Sequence, residues 1–374
     1  MNVVVLYGGK SGEHDVSLIS ATSVVRNIDY KKHTVTLVGI ARDGVWYKQN
    51  QLLLESVLSG EKEALNIIED VNEIVTVQPG GGTRKGLKTE KESLVVDIVL
   101  PILHGTYGED GLLQGLLEMA ELPYCGCGVM SSAVAMDKEK AKQVWEQEGI
   151  PVVPYVCVRT NQKSDINVVV KEIEEKFAYP VFVKPVCAGS SVGAAKANTQ
   201  EELVATINDA FFWDEKVLVE PFVPSREIEC SVTGNTLTED EAYVVKAYSI
   251  GEILPTHEFY DYDAKYTDPD GALLQIPAEL SSEVAEKIKY YAKKAYRVLD
   301  CSGLSRVDFF IDKTNDAIYL NEINTLPGFT PISMFPMLCR ESGLEYKDLI
   351  DYLLLQGLDR FKSRQKISET LKRG

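Results

Sequence analysis

Ser305–Asp312, SRVDFFID, and Tyr319–Ser333, YLNEINTLPGFTPIS, are apolar runs in which charged residues recur at strand spacing. Val307, Phe309, Ile311, Leu320 and Ile323 stand beside Arg306, Asp308, Glu322 and Asn324, which predicts strands over Ser305–Ile311 and Ala317–Ile323, each with an apolar and a polar face. Glu322 and Asn324 share a face because they lie two residues apart, and Arg306 shares one with Asp308 for the same reason. Two or three hard oxygen ligands that leave room for water and phosphate are what Mg²⁺ prefers. An arginine on that face is ready to stabilise an oxyanion. A solvent-facing charged hairpin has the same alternation, so spacing leaves both readings open.

Upstream, VFVKPVCAGSSVG (Val181–Gly193) sets Lys184 inside an apolar strand and follows it with Gly189, Ser190, Ser191 and Gly193. A strand lysine is costly unless its ammonium has a partner, and a Gly/Ser loop offers unblocked N–H groups to a phosphate. A hairpin with an edge lysine is the competing reading. In VLVEPFVPSREIE (Val217–Glu229) an apolar strand ends in Glu220 and then exposes backbone at Phe222 and Val223. One acid and free backbone groups can read adenine, with Val223 donating because Pro221 has no N–H. Alone, this is a bulged strand.

At the start of the chain, YGGKSGEHDVS (Tyr7–Ser17) follows a β-branched run. It fits neither a phosphate loop, which needs glycine where Val4 stands, nor a dinucleotide fingerprint, which needs a second glycine where Lys10 or Ser11 stands. What remains is a tight turn with Glu13 near a helix N-terminus, either a partner for a ligand ammonium or, with Glu13 or Asp15 as the cap, a helix start. LHGTYGEDG (Leu103–Gly111) ends a second apolar strand at the edge where open α/β sheets bind ligands. His104 there is a ligand contact or an ordinary strand-end histidine.

The 374 residues suffice for two or three domains, and 45% hydrophobic with 25% charged residues describes a core-forming chain. A net charge of −17 repels phosphate backbones and anionic lipid, which disfavours nucleic acid or a membrane surface as partner. No apolar run reaches the ~20 residues of a membrane helix, and MNVVVLYGG is no signal peptide, so a cytoplasmic enzyme of small molecules is expected. The seven scattered cysteines lack CxxC spacing and are read mainly as small core residues.

The run Asn2–Leu6, a helix over Val16–Asn27 and the strand Thr34–Ile40 form a βαβ unit, predicting a parallel sheet. The strand Val95–Leu103 and helix Gly111–Glu121 continue that pattern, with Pro79–Lys88 as a surface turn. Beyond Met136 the expectation is α+β. It comprises a helix Lys138–Glu148, short strands Val152–Val158, Pro180–Pro185, Val217–Val223, Ile228–Gly234 and Ala242–Ser249, and a helix Ser282–Leu299. The C-terminus predicts a helix over Tyr346–Leu355 and a solvated basic helix over Arg360–Gly374, with a partner site as the other reading of that tail.

Together YGGKSGEHDVS, LHGTYGEDG, AMDKEKAK, VKPVCAGSSVG, REIE, HEFYDYDAKYTD, GLSRVDFFID and NEINTLPGFTPIS resemble the D-alanine:D-alanine ligase family of ATP-grasp enzymes, in order along nearly the whole chain. The resemblance implies a Rossmann-like parallel-sheet domain (1–136), a central ATP-grasp part (137–222) and a C-terminal ATP-grasp domain (223–374) with a lid at 257–270. It implies ATP-dependent joining of two D-alanines through an acyl phosphate, for peptidoglycan precursor synthesis. By the same resemblance Lys138, Lys184 and Lys265 contact ATP phosphates, Ser190, Ser191, Val192 and Gly193 cover them, and Glu220, Val223 and Glu227 hold adenine and ribose. Asp308, Glu322 and Asn324 hold two Mg²⁺ or Mn²⁺ ions. Glu13 grips the first D-amino acid's ammonium, with Ser190 and Tyr266 completing a trio and His104 nearby; Arg306 and the Gly328 backbone form an oxyanion hole, and Ser333 anchors the second substrate. Relatives are usually homodimers. The stretch CAGSSVG also resembles D-serine-adding relatives, which leaves a D-alanine:D-serine ligase, or another ATP-grasp amide-forming ligase, as alternatives.

Overall fold

The computed structural model describes residues 1–189, 192–255 and 272–372. Asn2–Gly8 lies inside a four-stranded sheet, paired in parallel with Thr34–Ile40 on one side and Ile98–Ile102 on the other, while Trp46–Lys48 closes the edge antiparallel. Both faces of this sheet are covered. Val3, Val5 and Tyr7 enter one core and Val4 and Leu6 another, which is why Asn2–Gly8 is an unbroken apolar run. The helix His14–Asn27 packs on the first face together with Leu349, Ile350, Leu353 and Leu354 from the helix Tyr346–Lys372. Each such buried aliphatic side chain contributes about 1.5–3 kcal/mol.

A second sheet runs Val156–Arg159, Lys216–Pro221, Val181–Pro185, Ala195–Ala197, with every pairing antiparallel. Val181, Val183, Val217 and Val219 face the helices Ile166–Lys176 and Gln200–Ala210. Period two therefore turns Lys184 and Glu220 to the opposite face. The third sheet is antiparallel throughout and runs Ala272–Gln275, Lys246–Pro255, Ser225–Asn235, Ser302–Asp312, Ile318–Asn324. Its apolar face, with Val307, Phe309, Ile311, Leu320 and Ile323, packs on Ser282–Val298, a helix started by the Ser281 hydroxyl accepting from Val284 N–H.

Several expectations change. Pro79–Lys88 is not a plain surface turn: Gly82–Lys85 is helical, and Leu87, fully buried, lies in a strand pair with Thr76–Val77. The strand placed at Ala242–Ser249 is Lys246–Pro255, preceded by a 3₁₀ turn that Asp240 caps. Helices Gln51–Leu58, Val129–Met136 and Met334–Glu341 are additional to those the sequence pattern predicts, each too short to complete a periodic pattern. The C-terminal helix runs unbroken from Tyr346 to Lys372; residues 362–367 are exposed, but Arg360 lies 4.1 Å over the Tyr124 ring and Arg364 pairs with Glu118. Five cysteines are buried, and Cys157 and Cys187 are half-buried.

Candidate active site

The antiparallel register sets Asp308 opposite Glu322 and Arg306 opposite Asn324, so all four side chains share the face turned away from the core. A bulge after Asp308 brings Phe309 opposite Leu320, which leaves Asn321 as an additional residue on the open side. Arg306 grips Asp308 with two hydrogen bonds of 2.8 and 2.6 Å, and its Nε stands 3.1 Å from Glu229 Oε2 on the neighbouring strand. Burial opposes the guanidinium charge, but these carboxylates outweigh it and raise Arg306 well above its ordinary value. Asn324 Nδ2 donates to Asp308 Oδ2 at 3.2 Å. Two carboxylates and one amide side chain thus share this face, residue types that supply the hard oxygen ligands Mg²⁺ prefers. Among the described residues no group of three His, Cys, Asp or Glu could hold a metal ion.

Two lysines reach the same face from outside the third sheet. Lys138 opens the helix Lys138–Gln147, which Asp137 caps, and its ammonium lies 2.9 Å from Ala188 O and 3.2 Å from Glu322 Oε2. Lys184 donates to Asn321 Oδ1 at 3.2 Å and pairs with Glu220 Oε2 at 2.9 Å. Burial would raise the Glu220 carboxyl, but Lys142 and Lys184 outweigh it and hold it below its ordinary value. Val192, Val223 and Glu227 are half-buried. Gly193 has a φ of +70°, a conformation that favours glycine, and lies under the Trp213 ring.

From the first sheet, Glu13 sits at the N-cap of His14–Asn27 but makes no side-chain cap. Capping by the Glu13 side chain therefore falls away. Its carboxylate points between Gly105 and Gly189: a Cβ built on these would meet Oε2 at 2.6 and 3.3 Å. His104 is buried, with Nδ1 3.0 Å from Leu326 O and Nε2 3.0 Å from Ser20 Oγ. A carbonyl only accepts, so Nδ1 carries the proton. Burial pushes the imidazole below its ordinary value, so it is neutral and Nε2 accepts from the Ser20 hydroxyl. Ser20 Oγ in turn receives Phe329 N–H at 3.3 Å. Gly328 is thereby bracketed, and Ser333 Oγ lies 2.7 Å from where its Cβ would be.

Contacts thus join Lys138 to Glu322, Lys184 to Glu220 and Asn321, and Arg306 and Asn324 to Asp308, while His104 and Ser333 adjoin the turn at Gly328 and Glu13 lies against Gly105 and Gly189. Ser190, Ser191, Lys265, Tyr266 and the expected lid at 257–270 lie outside the described residues. Sequence reasoning assigned no part to Glu109, Glu229, Asn321 or Lys142. Glu229 had a signal, since it stands two residues from Glu227 on the face paired with Asp308. Glu109 had none beyond its place in the LHGTYGEDG loop; its carboxylate accepts Gly105 N–H at 2.6 Å.

Two family models match the chain, the D-ala D-ala ligase N-terminus over residues 2–127 and the D-ala D-ala ligase C-terminus over residues 144–355. The chain is 50% identical over 370 residues to the D-alanine--D-alanine ligase of Treponema denticola, covering 98% of each. It is 45% identical to that of Acetivibrio thermocellus, covering 97% of each. The structure of the D-alanine-D-alanine ligase from Coxiella burnetii superposes with a TM-score of 0.83 at 34% identity, covering 100% of this chain and 99% of that one. The VanG D-Ala:D-Ser ligase from Enterococcus faecalis superposes with a TM-score of 0.82 at 35% identity, covering 95% and 99%.

Proposed function

The chain belongs to the D-alanine–D-alanine ligase family, and from that premise we propose that it joins two D-alanines at the expense of ATP. The dipeptide serves peptidoglycan precursor synthesis. The observation that carries this reading is the shared open face of Arg306, Asp308, Glu322 and Asn324, which Lys138 and Lys184 reach, with the Glu13 carboxylate lying between Gly105 and Gly189.

The first D-alanine's carboxylate attacks the γ-phosphate, giving an acyl phosphate and ADP. The second D-alanine's amine then attacks that carbonyl, and phosphate leaves. Rate comes mostly from positioning and from charges aimed at developing oxyanions. Glu13 binds the ammonium of the first substrate. Arg306 and Gly328 N–H receive the carbonyl oxygen as it gains charge, and Ser333 anchors the second substrate's carboxylate. Lys138 and Lys184 take the phosphates, with Val192 and Gly193 in the covering loop; Glu220, Val223 and Glu227 take adenine and ribose. Ser190, Ser191, Lys265 and Tyr266 keep the parts the family pattern implies.

Asp308, Glu322 and Asn324 would hold two Mg²⁺ ions, which when bound would offset phosphate charge. The fit rests on the hard-oxygen donor set and on its position beside Lys138. The division into 1–136, 137–222 and 223–374 and a homodimeric assembly belong to the same proposal. Among the described residues no helix is long and apolar enough to cross a membrane.

The test is D-alanine-dependent phosphate release with ATP and Mg²⁺, with the product identified in the presence and absence of D-serine. D-alanyl-D-alanine as main product supports the reading. A D-alanyl-D-serine product when both are offered would move the chain to the D-serine-adding relatives, and no release with any D-amino acid would sink both substrate assignments.

A further inference from the structure

Lys142 is fully enclosed on the helix that begins with Lys138, one turn further along. Its ammonium lies 2.7 Å from Glu220 Oε1, donates to Val153 O at 3.0 Å and stands 5.5 Å from the centre of the Tyr155 ring. Glu220, itself 3% exposed, pairs through its other oxygen with Lys184 at 2.9 Å. Lys184 also donates to Asn321 at the bulge. Two ammonium groups and one carboxylate therefore form a buried chain with one surplus positive charge.

Stability does not account for this arrangement. A buried ion pair gains little over an apolar residue of the same volume. Burial pushes the Lys142 ammonium down to about 8 despite the Glu220 charge. A methionine would fill the space and leave Glu220 and Lys184 as a neutral pair.

We propose that Lys142 is a positioning residue for the nucleotide: it holds one oxygen of Glu220 so that the other fixes the Lys184 ammonium toward the phosphates. This deepens the ATP-binding reading of Glu220 and Lys184 and rests on it. Without Lys142, Lys184 would be the sole counter-charge to Glu220. It would be drawn onto the carboxylate and away from the phosphates.

The experiment measures equilibrium binding of a non-hydrolysable β,γ-imido analogue of ATP to the full chain, with steady-state constants for ATP and D-alanine alongside. Lys142→Met is expected to weaken the analogue about tenfold, the scale of one charge-assisted hydrogen bond, and to raise the KM for ATP while leaving that for D-alanine unchanged. Lys142→Arg should restore part of the affinity. A folded Lys142→Met that binds within twofold of the parent overturns the proposal. In a Glu220→Gln background Lys142→Met should add nothing, since Lys142 acts through Glu220; a further tenfold loss there also overturns it. This pair of variants leaves no buried carboxylate to be orphaned, so the comparison stands if Lys142→Met alone does not fold. If Glu220→Gln binds like the parent, the nucleotide reading of Glu220 itself fails, an outcome separate from failure of Lys142→Met alone.

Discussion

His104 Nδ1 donates to the carbonyl oxygen of Leu326 at 3.0 Å across 222 residues of sequence. It ties the end of the parallel sheet to the turn that presents Gly328. With Nε2 accepting from Ser20, whose oxygen receives Phe329 N–H, both nitrogens of the ring are engaged in holding that turn.

His104→Ala should therefore damage rate and stability together. It leaves the buried Leu326 carbonyl and Ser20 hydroxyl unsatisfied, a cost of about 1–3 kcal/mol. It also frees the turn, and a misplacement of the oxyanion donor by about 1 Å costs ~10²-fold in kcat. Thermal melting and steady-state kinetics check this; an unchanged kcat in a destabilised variant would reduce His104 to packing.

Arg306→Ala should lower kcat by ~10²- to 10³-fold, as loss of an oxyanion donor does elsewhere. A loss under tenfold would count against that assignment. Arg306→Lys keeps the charge but not the two-pronged grip on Asp308, so its kcat should fall between the two.

The Glu109 carboxyl is pushed from 4.5 up to about 8, first by burial and then by the Glu13 carboxylate, with Gly105 N–H opposing. Between those values the folded protein keeps a proton that the unfolded chain has released. Stability therefore falls as pH rises through that window, and the penalty is complete above about 8. Glu109→Gln removes the titration. Chemical denaturation at several pH values between 5 and 8.5 should show parent stability declining relative to the variant; a constant difference would refute the shift.

Gly193→Ala forces a side chain into a left-handed position, about 1–2 kcal/mol, and drives its Cβ at the Trp213 ring and Pro185, whose Cγ would lie at 3.0 Å. Trp213 is 62% exposed and able to swing away. The covering loop should shift, so the KM for ATP rises several-fold and Trp213 fluorescence changes, with melting only slightly lower. An unchanged KM would show that this loop does not reach the phosphates.

Asp308→Asn should weaken Mn²⁺ binding in the presence of ADP, read by electron paramagnetic resonance and independently of turnover. Removal of divalent ions by chelation should abolish phosphate release. Equal Mn²⁺ affinity in variant and parent would move the metal elsewhere.

Much of this was written in local pattern. The alternation of Val307, Phe309 and Ile311 with Arg306 and Asp308 predicts a half-buried strand because strand side chains alternate faces, and the pairing with Ile318–Asn324 follows it. Lys184 in an apolar strand demands a counter-charge, and Glu220 supplies it. Asn321 reads as a residue beside Glu322 and opposite in facing; only the bulge turns both outward. Lys142 reads as one more charge on a polar helix, KEKAKQVWEQ, and only packing reveals that it is enclosed.

The chain by itself determined the strands around Arg306, Asp308 and Glu322, the parallel pairing at the centre of its first sheet and its family, because each depends on residues within a few positions of one another or on motifs kept in order. Tertiary structure alone decided that the helix Tyr346–Lys372 covers the first sheet, that His104 and Ser20 hold the turn at Gly328, and that Lys142, Glu220, Lys184 and Asn321 form one chain of charge. The reason is physical: periodicity records which face of an element is apolar, whereas the partner of a buried charge is set by the three-dimensional meeting of elements far apart in sequence.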